Sequence, residues 1–291
     1  MKTCHSDYGI IQRIVLNPAS NSFFSQEKID DEFEPLNYLS KPSLATSIQE
    51  YQGFEEILLK SGIEALKIPH HTKASLDAIY CRDASLATDF GIILCRMGKA
   101  ERSIEPEMQK EFYLQHDFKI LGEIEAPGTV EGGDMCWLDE KTLAIGHTYR
   151  TNYEGIEQIK ALLNPRGIDV FMVELPHFRG PKDVFHLMSV FSPVDKNKAV
   201  VYSPLMPIYL RNELLARNYQ LIECPNEEFD TMGCNVLALA PSQCLVVDGN
   251  PVTKSRLEQA GCQVLTYQGE HISNPGCGGP TCLTRPLERK I

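Results

Sequence analysis

Five times along this chain a helical stretch ends, a glycine or polar residue follows, and a short β-rich run begins. The copies read LLKSGIEALKI, FYLQHDFKILG, LLNPRGIDVFMV, LLARNYQLIEC and RLEQAGCQVLTY. Aligned on Ile63, Phe118, Ile168, Tyr219 and Cys262, they recur about every 50 residues, the mark of a repeat architecture. Their identity is low, so what repeats is a supersecondary unit rather than a sequence. Runs rich in Val, Ile and Leu predict strands before the helices at Ile11–Leu16, Leu86–Leu94, Thr142–Ile145, Ala199–Tyr202 and Cys244–Val247. Helices are predicted over Ser47–Ser61, Glu105–Gln115, Tyr153–Leu163, Pro207–Arg217 and Val252–Ala260. In the first of them Ile48, Tyr51, Phe54, Ile57 and Leu58 form an apolar face. Alternation of this kind predicts α/β modules packed around one axis, neither all-α nor all-β. We expect one domain over 1–291, with modules near 8–69, 79–125, 130–176, 184–224 and 233–291. Asn17–Ser43 breaks the rhythm. It is polar, contains Pro18, Pro35 and Pro42, has no periodicity, and reads as a long loop.

Composition narrows the function. The net charge of −11 disfavours a phosphate-backbone partner, which would call for a basic stripe. Residues 1–17 show no apolar signal core, and Val236–Pro241 is far short of the ~18–20 residues of a membrane span, so a cytoplasmic chain with no membrane contact is expected. Ten cysteines include no C-x-x-C pair, so most read as reduced, small buried hydrophobes. Neither a metal-ligand string nor a G-x-G-x-x-G or P-loop occurs, and no cofactor is expected.

Six segments stand outside the rhythm and carry titratable groups: Tyr80–Ser85 (YCRDAS), Ala100–Glu105 (AERSIE), Val130–Met135 (VEGGDM), His147–Asn152 (HTYRTN), Val184–Ser189 (VFHLMS) and Asn274–Arg285 (NPGCGGPTCLTR). Around one axis, loops in equivalent places converge, so an acid, a base and a thiol can meet in one pocket. The glycines before Cys282 would let backbone approach a ligand. Cys282 is a candidate nucleophile, with Cys277 its rival in the same loop. His186 opens an apolar run, where a base and a core histidine are both open readings. Glu131 and Asp134 flank a Gly-Gly turn, Asp83 follows Arg82 and could pair with it, and Arg102 and Arg150 are candidate anion binders.

Together these segments resemble the guanidine-modifying superfamily of dimethylargininases, arginine deiminases and amidinotransferases. The likeness runs in order from RIVLNP through YCRDAS, Arg102-x-x-Glu105, VEGGD, GHTYRTNYEGI, FHL and GCNVLAL to GGPTCLTRPLER. It implies a five-bladed, pseudo-five-fold α/β propeller (a pentein). It also implies that Cys282 is the nucleophile, His186 the general acid/base and Glu131 the orienting carboxylate. Asp83 would grip guanidinium nitrogens, Asp134 would join the substrate-binding groups, Arg102 and Arg150 would clasp an α-carboxylate, and Asn17–Gln26 would lie near a mobile lid. The implied reaction is hydrolysis of a guanidine C–N bond in arginine or a methylated arginine through a covalent S-alkylthiouronium. Amidino transfer to an acceptor amine is the alternative, and a homodimer is compatible with the resemblance. Deiminases and amidinotransferases carry a carboxylate two residues after the histidine, where this chain has Met188; dimethylargininases lack that carboxylate too. Against that, Arg82 is the deiminase-like form of the residue before Asp83. A partner-binding scaffold of the same fold would lack the Cys/His/carboxylate set.

Overall fold

Helix ends set the repeat. The helix Leu44–Lys60 is capped by Ser43 and buries Ser47, Tyr51, Phe54 and Leu58 at steps of three or four residues. Burial of a side chain such as Phe54 or Leu58 contributes about 1.5–3 kcal/mol. Just past this helix Gly62 takes a left-handed φ of 78° and turns the chain back into the strand Glu64–Lys67. The same conformation follows each of the other four repeat helices, at Asp117, Gly167, Asn218 and Gly261. Gly, Asn and Asp are the residues that tolerate it best, which is why a glycine or polar residue punctuates every copy.

The computed structural model describes residues 1–291 and holds five small sheets. Four are alike: an antiparallel hairpin, a helix, then a strand parallel to the hairpin's second arm. They are Ser85–Thr88, Gly91–Leu94 and Ile120–Glu123; Met135–Asp139, Thr142–His147 and Asp169–Glu174; Phe191–Asp195, Lys198–Val201 and Gln220–Glu223; and Leu237–Ala240, Gln243–Val247 and Gln263–Tyr267. In the remaining sheet Ile10–Leu16 pairs with the parallel Glu64–Lys67, and its antiparallel partner is Thr284–Lys290 from the far end of the chain. Lys2–Thr3 extends that sheet beyond Thr284–Lys290.

Five apolar clusters fill the spaces between neighbouring sheets. One joins the first sheet to the second through Val15, Ala87 and Phe112. Others join second to third through Ile93 and Trp137, third to fourth through Leu138 and Phe191, and fourth to fifth through Val200 and Val246. The largest joins fifth to first through Val247, Tyr267, Ile11 and Ile14. Each sheet thus packs on the next and the last on the first, a propeller-like ring.

The structure alters four expectations. Leu86–Leu94 is a hairpin, not one strand: Asp89 and Phe90 form its turn and Gly91 takes a φ of 132°. The first hairpin arms Met135–Asp139, Phe191–Asp195 and Leu237–Ala240 add strands to the single ones expected before the later helices. Residues Thr284–Lys290 belong to the first sheet, not to a module over 233–291, because they complete its hairpin. Asn17–Ser43 is ordered by two short helices, Ala19–Ser22 and Gln26–Glu32, and it buries Phe23, Ile29, Leu36 and Tyr38 in the largest cluster. Asn17 Nδ2 donates to the Ala78 carbonyl at 2.8 Å, which ties the start of this segment to the body of the protein, while Phe24 within it is exposed.

Candidate active site

The loop entering the first hairpin arm of every sheet delivers polar groups to a common place. Asp83 precedes Ser85–Thr88, Glu131 and Asp134 precede Met135–Asp139, and His186 precedes Phe191–Asp195. Asn235 precedes Leu237–Ala240, and Cys282 precedes Thr284–Lys290. Backbone bonds interlock these loops: Arg82 N–H donates to the Cys282 carbonyl at 3.2 Å, and Gly132 N–H to the Asp83 carbonyl at 2.8 Å. Arg82 does not pair with Asp83. Its guanidinium turns inward to Asp7 at 2.7 Å.

Carboxylates define the electrostatics. Glu131, fully buried, accepts from His186 Nε2 at 2.9 Å through one oxygen. Its other oxygen accepts the backbone N–H groups of Gly98 and Lys99 at 3.0 and 3.1 Å, and Arg150 Nη1 approaches that oxygen at 3.5 Å. Burial alone would raise its pKa, but the hydrogen bond and charge of His186, helped by Arg150 and Arg102, hold it below the ordinary carboxylate range. His186 responds in the opposite sense. Burial pushes it down, yet Asp134, Asp83 and Glu131 outweigh burial and lift it to about 9, so it is an imidazolium at neutral pH. Asp83 accepts Gly133 N–H at 2.9 Å and Arg102 Nη1 at 2.6 Å.

Gly133 has no room for a side chain. A Cβ there would stand 2.5 Å from His186 Nδ1 and 2.9 Å from Asp83 Oδ1. Gly133→Ala is expected to cost about 1–3 kcal/mol by overpacking and to displace the imidazole. Urea unfolding would read the first effect and the pH dependence of turnover the second.

Cys282, at 9% exposure, is held from the side by Asn235 and Thr281. Asn235 Nδ2 donates to Sγ at 3.4 Å, while its Oδ1 accepts the Thr281 N–H at 3.0 Å and hydroxyl at 2.9 Å. Burial and the nearby Asp83 raise the thiol pKa; Thr281, Asn235 and Arg82 oppose them without prevailing. Cys277 lines the same cavities with a left-handed φ of 57°, and burial lifts its thiol to about 11. Gly276 and Gly278 line the polar crevice beside Cys282. A Cβ on Gly278 would collide with the Tyr80 ring, so this glycine also makes room for Tyr80.

Two expected substrate-binding residues are spent inside the protein. Asp134, with no exposed surface, accepts the Leu187 N–H at 2.9 Å and the Thr148 hydroxyl at 2.7 Å, and it lines neither cavity beside Cys282. It fixes the backbone next to His186, and burial raises its pKa to about 6. Arg102 gives two bonds of 2.8 Å to Glu105, one of 2.6 Å to Asp83 and one of 2.9 Å to the Tyr80 carbonyl, so it holds Asp83 in place. Arg150, with only the 3.5 Å approach to Glu131, keeps donors for a ligand. Asn235, Tyr80 and Asp77 complete the surroundings and were not singled out from sequence. Asn235 sits in the quoted GCNVLAL segment, but nothing in a lone loop asparagine signals a contact to sulfur.

Two cavities meet at Cys282 and His186. A polar crevice of about 20 Å³ is lined by Asp77, Tyr80, Asp83, Lys99, Arg102 and Arg150. A second cavity of about 140 Å³ is largely apolar. Asp83, Glu131 and His186 bring one ligand atom each within 4.8 Å of one another, a spacing a metal could use. Every one of those carboxylate oxygens already accepts from a protein N–H donor, and of the three residues Asp83 and His186 line the polar crevice.

A model of the family described as N,N dimethylarginine dimethylhydrolase, eukaryotic, matches residues 18–289. The chain belongs to that family. Within the wider guanidine-modifying superfamily it is 26% identical to an arginine deiminase of Mycoplasma capricolum, over 93% of this chain and 76% of the relative. A solved cysteine-to-serine mutant of the Pseudomonas aeruginosa DDAH, complexed with citrulline, is 22% identical; the match covers 94% of this chain and 98% of that one, with a TM-score of 0.77. An amidinotransferase from Microseira wollei is 15% identical, over 99% of this chain and 97% of that one, with a TM-score of 0.80. These two likenesses show that this member of the DDAH family shares their propeller-like α/β fold. None of its helices is long and apolar enough to cross a membrane.

Proposed function

We propose that this single-domain chain hydrolyses a guanidine C–N bond of arginine or an N-substituted arginine, with Cys282 as nucleophile. The observation that supports it most is one juxtaposition: Asp83, a protonated His186 and Cys282 line the same crevice, with Glu131 hydrogen-bonded to His186 behind it. A guanidinium is cationic and planar, and its delocalisation makes it a poor electrophile. Asp83 and Glu131 bind its N–H groups by charge-assisted hydrogen bonds and hold its carbon near the sulfur. The thiol is protonated in the free protein, because burial and Asp83 raise its pKa. A bound cation beside it favours loss of the thiol proton to solvent, which leaves the thiolate.

Attack forms the Sγ–C bond. His186 gives its proton to the departing nitrogen as the C–N bond breaks, leaving an S-alkylthiouronium. Now neutral, His186 takes a proton from water; the hydroxyl adds to the same carbon, and the C–S bond breaks to return the thiol and release citrulline. Arg150 supplies remote binding energy through the substrate carboxylate. The relatives named above as an arginine deiminase and a DDAH support this class of reaction.

Citrulline should appear with ammonia from arginine and with an alkylamine from Nω-methylarginines, while agmatine should give ammonia and the decarboxylated ureido product. Folded protein that releases nothing from any of them would refute the reading. Added glycine or lysine should yield no new guanidino compound; its appearance would favour amidino transfer.

A further inference from the structure

The centre of the ring carries an unbalanced buried charge. Arg82, Arg285 and Arg289 are 1%, 4% and 1% exposed, and the one carboxylate paired with any of them is Asp7. Arg82 comes from the loop before Ser85–Thr88, whereas Arg285 and Arg289 both stand on Thr284–Lys290. Asp7 is already engaged through both oxygens: Oδ1 accepts from Arg82 Nη2 at 2.7 Å, and Oδ2 accepts the Trp137 N–H at 2.8 Å. Arg289 Nη1 donates to the Gly9 carbonyl and, at 2.8 Å, to that of Ala238, while Arg285 Nη2 donates to the Arg82 carbonyl. These bonds use only part of the donor set. Arg82 Nε and Nη1, Arg285 Nε, and Arg289 Nε and Nη2 are buried and meet no acceptor of the protein.

The groups beside these arginines do not cancel the excess. Cys136 lies near Arg82 and Arg289, and Cys95 and Tyr113 lie near Arg285, but burial raises the pKa of all three, so none is an anion at neutral pH. Burial and the Arg82 charge push Arg285 down to about 10; burial and Arg82 do the same to Arg289 against the pull of Asp7, so both stay cationic. Buried charge is tolerated when it is paired, and buried N–H groups without an acceptor are rare in folded proteins. A single anion would meet both demands. Arg82 and Arg289 share Asp7 and Cys136 as neighbours, so their free donors face one region. We propose that the centre of the ring is a binding site for one small inorganic anion, of the size and charge of chloride, held on the free N–H groups of Arg82 and Arg289 with Arg285 adding its charge. Full enclosure favours a monatomic ion that gives up its hydration shell easily. The site stands behind the reactive loops. Arg82 precedes Asp83, and its N–H donates to the Cys282 carbonyl at 3.2 Å, so the anion braces both loops.

The test starts from protein dialysed into sodium gluconate, an anion too bulky for an enclosed site. Chloride or bromide then replaces gluconate at constant ionic strength, which holds screening fixed. Either halide should raise the thermal midpoint in a saturable way, by at least about 3 °C at about 100 mM. Crystals of the parent protein grown in bromide should show an anomalous peak within hydrogen-bonding reach of the Arg82 and Arg289 nitrogens. Arg289→Met should remove the halide-dependent shift, and Arg285→Met should lessen it. If Arg289→Met does not fold, the bromide position in the parent protein decides. Absence of a bromide peak at these nitrogens overturns the proposal, because any halide effect then arises elsewhere and the free N–H groups meet water. A midpoint that is the same in gluconate and in halide overturns it too, as does a full halide shift in folded Arg289→Met. None of these measurements uses turnover, so the outcome is independent of the hydrolytic reading.

Discussion

Cys282→Ser should lose turnover by at least about 10⁴-fold while keeping its fold and its affinity for a guanidino ligand. The serine hydroxyl fits the space of the thiol and still meets Asn235 Nδ2, which now donates to Sγ at 3.4 Å. What it lacks is a route to the anion. A thiol whose pKa is raised by burial and Asp83 can still be brought to thiolate by a bound guanidinium, whereas a hydroxyl starts several pH units further away. Asp83, Glu131 and Arg150 are untouched, so calorimetry should record binding close to that of the parent protein. Cys277→Ser is the control. That residue shares both cavities, but its loop carbonyl environment offers no donor comparable to Asn235, so activity should stay within about threefold. Loss of turnover in Cys277→Ser with activity retained in Cys282→Ser would reassign the nucleophile.

Much of this architecture was legible because the repeated signals are local. A left-handed residue ends each repeat helix, and Gly62, Asp117, Gly167, Asn218 and Gly261 show why the sequence marks those points with glycine or a short polar residue. The hairpin arms were harder. Ser85–Thr88 and Gly91–Leu94 are four residues each, joined by a two-residue turn whose marks, Asp89 and Gly91, are brief interruptions of a mostly apolar run. The early segment failed for a different reason. Its helices are too short for a period to show, and the burial of Phe23, Ile29, Leu36 and Tyr38 depends on the fifth module closing against the first. In the site, taken one at a time Cys282, His186, Glu131 and Asp83 read as ordinary loop or core residues, and the resemblance grouped them; the fold places Cys282, His186 and Asp83 on one crevice with Glu131 against His186. What sequence could not weigh was competition for donors. Arg102 looks like a free cation until Glu105, Asp83 and the Tyr80 carbonyl are seen to occupy it. Asp134 looks like a ligand-facing carboxylate until the Leu187 N–H and Thr148 hydroxyl take its oxygens.

Glu131→Gln separates a proton-handling role from a purely structural one. His186 carries its proton up to about pH 9, because Asp134, Asp83 and Glu131 more than offset its burial. A group raised in this way is fully in its acid form well below that value and loses it as pH climbs through it. The alkaline fall of kcat/KM should therefore lie near pH 9 in the parent protein. The introduced amide keeps the acceptor for the Gly98 and Lys99 N–H groups, so the loop should hold its shape. Toward His186, however, it offers no negative charge, and its NH₂ group would meet Nε2 as a donor, a contact that favours neutral imidazole. The sign follows: the histidine pKa falls and the alkaline limb moves to lower pH. With less imidazolium at neutral pH and one fewer carboxylate on the guanidinium, kcat should drop by about 10²–10⁴-fold. Thermal unfolding at pH 7 checks that the buried site survives, and the pH–rate profile supplies the decision. A large loss of kcat with the alkaline limb unmoved would mean that the limb belongs to another group and that Glu131 serves only to hold the guanidinium. A moved limb with little loss would mean that protonation of the leaving nitrogen is not what limits the reaction.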